Sequence, residues 1–280
     1  MNIKKAMINA KYILAKSSIN CSDLDIEILM SKAIFKDRKY ILLNSNKDIS
    51  KNNLDYFNNL IMDRSKGKPV AQIIEKKDFW KYEFKILKDV LIPRPDTEII
   101  IEQALKISKY KSKLNILDIG VGSGCIILSF LKEREDFFGT GIDISNKSII
   151  NSRINADLLG VKKRLRLIKS DIDNFNLGKY DIILSNPPYI SKYEINSLEK
   201  DILNFEPIAA LDGGLDGISE IRKVINKTSK LIKRNGKFIL EIAYNQKNKV
   251  IDLLKNKGFY INKIIKDYAK NDRCVISTKI

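Results

Sequence analysis

The sequence predicts an α/β protein in which a small N-terminal helical bundle precedes a doubly wound, mostly parallel seven-stranded sheet. Three observations lead there. From Pro93 onward, short apolar runs suited to buried strands alternate with helical stretches, the signature of β-α-β units. The last two apolar runs are joined only by a short polar connection, too short for a crossover, so they should pair antiparallel. Before Pro93, apolar residues recur at helical spacing and chemistry-bearing motifs are absent.

Taken in order, Ile3 to Lys16 carries apolar residues at helical spacing. Ser22, with Asp25 three residues on, is an expected N-cap for a helix through Ile26, Leu29, Met30 and Ala33. Ser50 can cap a third helix with Leu54, Phe57, Leu60 and Ile61 on one face, stopped by Gly67 and Pro69. Residues 75–92 alternate like a short hairpin. The strands that follow are expected at 115–120, 138–143, 164–171, 180–186, 237–243, 259–267 and 273–279. Helices are expected from Cys125, from Ser145 through Leu159 (closed by Gly160), over 216–232 and through Leu254. The partition is therefore 1–74 for the bundle, 75–92 for a hairpin linker and 93–280 for the sheet domain.

Composition excludes several classes of chemistry. The chain has no histidine, so imidazole relays, His-based zinc sites and imidazole proton shuttles are ruled out. Cys21, Cys125 and Cys274 are odd in number and widely spaced, which fits reduced, packed thiols and no disulfide framework. Cys125 follows a glycine-rich loop, but no histidine is available to activate it. No apolar run approaches the roughly 18–20 residues needed to span a bilayer. Lys11 and Lys16 interrupt any signal-peptide core. A cytoplasmic chain without a membrane partner is expected. The net charge of +17 suits a phosphate-bearing or acidic partner. Yet residues 1–92 hold 18 basic and 11 acidic side chains and residues 93–280 hold 33 and 23, with no basic block. Lysine-rich composition accounts for most of it.

Chemistry concentrates at the carboxyl ends of the expected strands. Asp118-Ile-Gly-Val-Gly-Ser-Gly124 spaces its glycines as G-x-G-x-G rather than the dinucleotide G-x-G-x-x-G. Its residues Gly120, Val121, Gly122, Ser123 and Gly124 let backbone approach a ligand without seating a diphosphate. Asp143 ends the second strand, where a carboxylate can accept from two ribose hydroxyls. Asp171 and Ile172 end the third, where an acid can take an adenine amino group and an isoleucine can cover the ring. Singly, a glycine loop can be a turn and an Asp a helix cap. In series they describe an adenosine pocket for S-adenosylmethionine, with no metal, on a class I methyltransferase sheet. The fourth strand runs into Asn186-Pro187-Pro188-Tyr189, beside the first strand if the strand order reverses there. The Asn186 side-chain carbonyl and the Pro187 backbone carbonyl can hold both hydrogens of a planar NH2 group. Neither proline offers an N–H to compete. Tyr189 can lie against the planar group. Transfer to such a nitrogen is governed by alignment, which is worth roughly 7–11 kcal/mol in well-oriented reactions.

The whole chain resembles the bacterial protein-glutamine N5-methyltransferases of class 1 peptide chain release factors, the HemK/PrmC group. The resemblance lies in PVAQIIEKKDFW (69–80), LIPRPDTE (91–98), LDIGVGSG (117–124), GIDIS (141–145), SNPPYI (185–190), FEPIAAL (205–211), EIAYNQ (241–246) and DYAKNDR (267–273). It implies that residues 120–124, Asp143, Ile172 and Asn186 bind S-adenosylmethionine. It further implies that Asn186 to Tyr189 grip the glutamine amide of the factor's Gly-Gly-Gln loop, and that Arg94 to Glu98 line the approach. Release factor recognition would fall to the bundle, and a monomer is expected. Three positions depart from the family pattern: Gln72 (usually Tyr), Glu75 (usually Gly) and Ala243 (usually Gly). NPPY alone is shared with nucleic-acid amino-methyltransferases acting on adenine N6 or guanine N2, and +17 would suit them. No aromatic-interleaved basic patch supports that alternative. LIPRPDTE argues against the sister enzymes that modify a ribosomal protein glutamine, where the second proline is typically replaced.

Overall fold

The computed structural model describes residues 1–17, 19 and 23–280, with Lys200 described by its backbone alone. The expected Ser22 cap and Cys21 lie outside the described residues. The chain divides into two compact units, Met1–Lys76 with Glu199–Phe205, and Lys77–Leu198 with Glu206–Ile280.

The first unit is helical. Helix α1 (Ile3–Lys16) is capped by Asn2, whose side chain accepts from Lys5 N at 2.9 Å. Its buried residues Ile3, Ala6, Ala10 and Leu14 follow the helical period. Helix α2 (Asp23–Ile34) buries Ile26, Leu29, Met30 and Ala33 against them. Helix α3 (Arg38–Leu43), capped by Asp37, is too short to announce itself by periodicity. Helix α4 (Lys51–Ser65) carries the expected Ser50 cap, with Ser50 Oγ accepting from Asn53 N at 3.3 Å. Helix α5 (Val70–Ile74) ends at Glu75, which takes the left-handed conformation at φ 60°. The segment Glu199–Phe205, distant in sequence, completes this unit. Arg64 Nη1 meets Asp201 Oδ2 at 2.8 Å, and Gln72 Nε2 donates to Phe205 O at 2.6 Å.

The second unit opens with a hairpin, β1 (Lys76–Phe79) and β2 (Tyr82–Lys85). After it come α6 (Glu98–Ser108), β3 (Asn115–Ile119), α7 (Cys125–Glu133), β4 (Phe138–Asp143), α8 (Asn146–Leu158), β5 (Leu165–Lys169) and β6 (Tyr180–Ser185). Then follow α9 (Lys192–Ile195), α10 (Lys200–Phe205, the segment placed in the first unit), α11 (Ser219–Leu231), β7 (Ile232–Glu241), α12 (Lys247–Asn256), β8 (Phe259–Lys266) and β9 (Asp272–Lys279). The seven-stranded sheet has the order β5-β4-β3-β6-β7-β9-β8. β3, β4, β5, β6 and β7 are parallel, while β9 is antiparallel to both β7 and β8, as the short β8–β9 connection requires. Its strands are apolar on both faces: Leu117, Ile183, Phe238 and Leu240 lie in one buried cluster with Ile221, Ile225 and Leu254 of the covering helices, and the alternate residues Ile116, Ile182, Leu184 and Ile239 are buried as well. The hairpin is fastened to α8. Lys85 N and Leu87 N donate to Asn155 Oδ1 (2.8 Å) and Asn151 Oδ1 (2.6 Å).

Strand order reverses between β3 and β6, which pair in parallel from Ile116↔Ile182 to Ile119↔Ser185. A crevice at their carboxyl ends follows from that topology. No helix among the described residues is long and apolar enough to cross a membrane.

The Arg64–Asp201 pair should matter to the first unit, because the Arg64 side chain is only 9% exposed and loses its counter-charge if Asp201 goes. Asp201→Ala is expected to cost about 2 kcal/mol. That is less than for a fully enclosed pair, since Asp201 keeps 28% exposure. Urea unfolding of the full chain measures it, and an unchanged midpoint would show that the pair contributes nothing.

Candidate active site

The site is built where β3 and β6 end. After β3 the chain enters the glycine loop, whose Gly120 N and Val121 N both donate to Ile142 O at 2.9 Å. Gly124 sits at φ 85° as the N-cap of α7, and a Cβ there would stand 2.6 Å from Leu128 Cδ1. Only glycine combines this left-handed conformation with the close packing of Leu128 and of Ser152, whose Oγ would stand 3.1 Å from that Cβ. The loop is also held from behind by polar side chains of α8. Ser152 Oγ donates to Gly122 O at 2.9 Å and Asn155 Nδ2 to Ser123 O at 2.8 Å. That leaves the loop's front face, Gly120 and Gly122, open to a cavity of about 330 Å³.

Asp143 ends β4 with both carboxylate oxygens on backbone N–H groups, Oδ2 on Gly122 (2.9 Å) and Oδ1 on Ser145 (2.8 Å). Burial raises its carboxyl pKa, while these two N–H groups pull it down. Each oxygen keeps a lone pair for a further donor. Asp171 caps a single turn at Ile172–Asn174 by accepting from Asp173 N at 2.8 Å. From β6, Ser185 Oγ donates to Ile119 O at 2.8 Å, joining the two strand ends just before Asn186.

The cavity is bordered by Gly120, Gly122, Asp143, Asp171, Ile172, Asn186, Pro187 and Pro188. The structure thus brings together most of the residues picked out from the sequence. Val121, Ser123 and Gly124 stand behind its wall, with Val121 and Ser123 buried. Tyr189 also stands outside the cavity lining: its hydroxyl donates to Glu241 Oε1 at 3.2 Å. Arg94 forms an ion pair with the buried carboxylate of Glu206, which also accepts from Ile92 N at 3.4 Å. Glu98 accepts from Trp80 N at 2.7 Å and so anchors the hairpin turn. Cys125 is buried, and burial pushes its thiol up to about 12, which keeps it protonated.

Several contributors escaped sequence reasoning. Pro207, Ala209 and Ala210 border the cavity from the FEPIAAL segment, and Val224 from α11. Gly217 lies where a Cβ would come within 2.6 Å of Tyr189 O. Gln246 Nε2 donates to that same carbonyl (2.8 Å) and to Gly217 O (2.9 Å), so the EIAYNQ stretch fixes the backbone at Tyr189. Thr97 and Glu241, both buried, stand behind Asn186 and Tyr189. Thr97 falls within the Arg94–Glu98 stretch expected to line the approach, whereas only its position in EIAYNQ hinted at Glu241.

Topology, glycine loop and the strand-end acids together define a methyltransferase of the class I fold. Comparison with known proteins agrees. Residues 110–278 match a family described as "Methyltransferase domain", and residues 5–74 match "PrmC N-terminal domain". The release factor glutamine methyltransferase of Clostridium acetobutylicum is 35% identical over 282 residues, covering 100% of this chain and 99% of that protein. Its namesake from Caulobacter vibrioides is 33% identical over 280 residues, covering 100% and 97%. The crystal structure of the ribosomal protein L11 methylase from Lactobacillus delbrueckii subsp. bulgaricus shares the fold, with TM-score 0.51 and 19% identity over 73% of this chain and 90% of that one. The chain belongs to the release factor glutamine methyltransferase family.

Glu241 has the clearest electrostatic signature in the site. Burial lifts its carboxyl to about 7 from an ordinary 4.5, against the opposing pull of Thr97, Arg273 and Tyr189. The folded state therefore holds this proton more tightly than the unfolded chain does. Its contribution to stability is whole below about pH 4.5 and is lost as the pH rises through 7, amounting to about 3 kcal/mol. Glu241→Gln cannot ionise, so the stability of the wild type relative to this variant should fall between about pH 5 and about pH 8. Thermal melts across that range test it, and a constant difference would contradict the assignment.

Proposed function

We propose that the chain transfers a methyl group from S-adenosylmethionine to the side-chain amide nitrogen (N5) of the glutamine in the Gly-Gly-Gln loop of class 1 peptide chain release factors. The observation that carries this reading is the position of Asn186 and Pro187. They close β6 at the sheet's switch point and border the same cavity as Gly120, Gly122, Asp143 and Ile172.

The cavity suits the methyl donor. Asp143 and Asp171 offer carboxylate oxygens for hydroxyl and amino donors, Ile172 offers an apolar face, and Gly120 and Gly122 leave room for close backbone approach. When bound there, S-adenosylmethionine supplies a methyl group made electrophilic by its positively charged sulfur. The protein's own task is alignment. Asn186 Oδ1 and Pro187 O accept the two hydrogens of the glutamine NH2 and hold its face toward the methyl. Tyr189, its hydroxyl engaged by Glu241 and its carbonyl by Gln246, anchors the end of the Asn186–Tyr189 turn from outside the cavity. With the donor bound there, the N–C bond would form as the S–C bond breaks, S-adenosylhomocysteine would be left behind, and the nitrogen would pass its extra proton to water. No imidazole base is needed, in keeping with a chain that has none. Arg94 and Glu98, each tied to its neighbours, shape the rim of the approach. The helical unit is the part left to recognise the release factor. The reaction would take place in the cytoplasm, where translation terminates, with the protein acting as a monomer.

Purified protein incubated with labelled S-adenosylmethionine should label a release factor and leave its Gly-Gly-Gln glutamine-to-alanine version unlabelled. Equal labelling of both, or labelling of DNA or RNA alone, would sink the assignment. Asn186→Ala is expected to keep S-adenosylmethionine affinity within about 1–2 kcal/mol while turnover is abolished. Retained turnover in that variant would refute the amide clamp.

A further inference from the structure

Helix α11 buries Ile221, Val224, Ile225, Thr228 and Leu231, and among them one charged side chain, Lys227, only 7% exposed. Burying an ammonium is costly unless its protons are hydrogen-bonded. Lys227 Nζ donates to Asp173 O at 2.7 Å and to Asn176 Oδ1 at 3.0 Å. Both acceptors are neutral, so these bonds bring no counter-charge to offset the lost hydration. Both belong to the segment that follows β5. There Asp171 and Ile172 border the cavity. Glu220 and Val224, seven and three positions before Lys227 on the same face of α11, border it as well. Lys227 itself does not.

The hydrogen bonds run from Lys227 to the cavity through a single residue. Lys227 holds the carbonyl of Asp173, and the N–H of Asp173 donates to Asp171 Oδ1 at 2.8 Å. Placing Asp173 therefore places the Asp171 carboxylate. The turn at Ile172–Asn174 is three residues long and cannot hold itself by its own backbone bonds. We propose that Lys227 is a positioning residue for the adenine end of the cavity: it fixes the turn that presents the Asp171 carboxylate to the adenine amino group and Ile172 to the ring. The inference rests on the reading of this cavity as the S-adenosylmethionine site. It adds the group that gives the site its preference for adenine.

A carboxylate accepts and cannot donate. It favours a purine with an amino group at C6 and disfavours one with a carbonyl oxygen there, where acceptor would face acceptor. Such discrimination depends on where the carboxylate stands. Held in place, it meets the amino group with a hydrogen bond and the carbonyl with repulsion. Free to swing aside, it does neither. The other end of the segment is already fixed, because Phe175 is buried in the same apolar cluster as Val224. What Lys227 adds is polar and directional: it sets the Asp173 peptide, and through it the acceptor that reads the base.

The test is calorimetric titration of the full chain with S-adenosylhomocysteine and with S-inosylhomocysteine, which differ only in amino against carbonyl at purine C6. No protein substrate is needed, so binding is read apart from turnover. The wild type should bind the adenosyl compound roughly tenfold more tightly. Lys227→Met keeps the length of the side chain and removes its donors. It should weaken binding of the adenosyl compound roughly tenfold and bring the ratio between the two ligands close to one. A lysine that only supported the fold would lower the melting temperature and weaken both ligands alike, so an unchanged ratio overturns the proposal. Should Lys227→Met fail to fold, Asn176→Ala, at an exposed position, removes one of the two acceptors. It should lower the ratio by about threefold, and an unchanged ratio there overturns the proposal equally. A wild type that binds both compounds alike overturns the adenine reading of the cavity and this inference with it. A wild type that prefers the adenosyl compound, with Lys227→Met preferring it as strongly, overturns only this one.

Discussion

Everything in the second unit depends on the parallel pairing of β3 with β6. Because the chain builds outward from β3 in both directions, through β4 and β5 on one side and through β6 and β7 on the other, no helix crosses over the gap between β3 and β6 at their carboxyl ends. Two loops open into that gap. One is the glycine loop and the other is Asn186-Pro187-Pro188-Tyr189. Register then brings them to the same height, with Ile119 opposite Ser185 and the Ser185 hydroxyl bound to Ile119 O. The would-be Cβ position of Gly120 lies 3.9 Å from Asn186 O, so the two loops nearly touch through backbone. A slip of one residue in this pairing would exchange the side chains of β6 between the two faces of the sheet.

Holding the loops is a separate problem from placing them, and it is solved by buried polar side chains. Asn151, Ser152 and Asn155 of α8 are all buried, an expensive arrangement unless each is satisfied. Ser152 and Asn155 bind carbonyls of the glycine loop, and Asn155 and Asn151 bind the backbone at the end of β2 and just beyond it. One helix thus fastens the loop and the hairpin together. On the other side of the crevice, Gln246 and Gly217 do the same for Tyr189, one by hydrogen bonding and the other by the absence of a side chain. Asn and Ser facing inward from a helix look, in sequence, like an interruption of its apolar face. That is why these residues were illegible before the fold was known.

What could be read in advance was what local physics decides. Strand positions, the antiparallel end of the sheet, the Ser50 cap and the meeting of glycine loop, Asp143 and Asn186 all follow from short-range pattern plus the switch-point rule. Long-range pairs did not announce themselves. The segment 199–205 joins the first unit only through partners such as Arg64 and Gln72, more than 120 positions away. Helix α6 begins with Glu98-Ile-Ile-Ile, a run that suits a strand as well as a helix. The three departures from the family pattern also acquire physical meaning. Gln72 spends its amide on Phe205 O. Glu75 holds a left-handed conformation at φ 60°, where glycine would sit without strain. Ala243 has no positive φ, so a methyl group is tolerated and its N–H is free to bind Gln246 Oε1 at 3.0 Å.

A methyltransferase without histidine still contains one group beside its site that titrates near neutrality, and that group is poorly placed to be a base. Glu241 is buried, outside the cavity lining, with the Tyr189 hydroxyl on one oxygen and no hydrogen-bond partner on the other. An amide nitrogen has no need of it, since its proton leaves only after the N–C bond has formed. A buried carboxylate in this position acts on direction, not on proton transfer. While ionised it can only accept, so the Tyr189 hydroxyl must turn its proton to Oε1. When alignment is the main catalytic requirement, the pH that matters is the one at which the aligning groups exchange donor for acceptor. The absence of imidazole therefore does not make such an enzyme indifferent to pH; it moves the sensitivity from the reacting atoms to the groups that hold them.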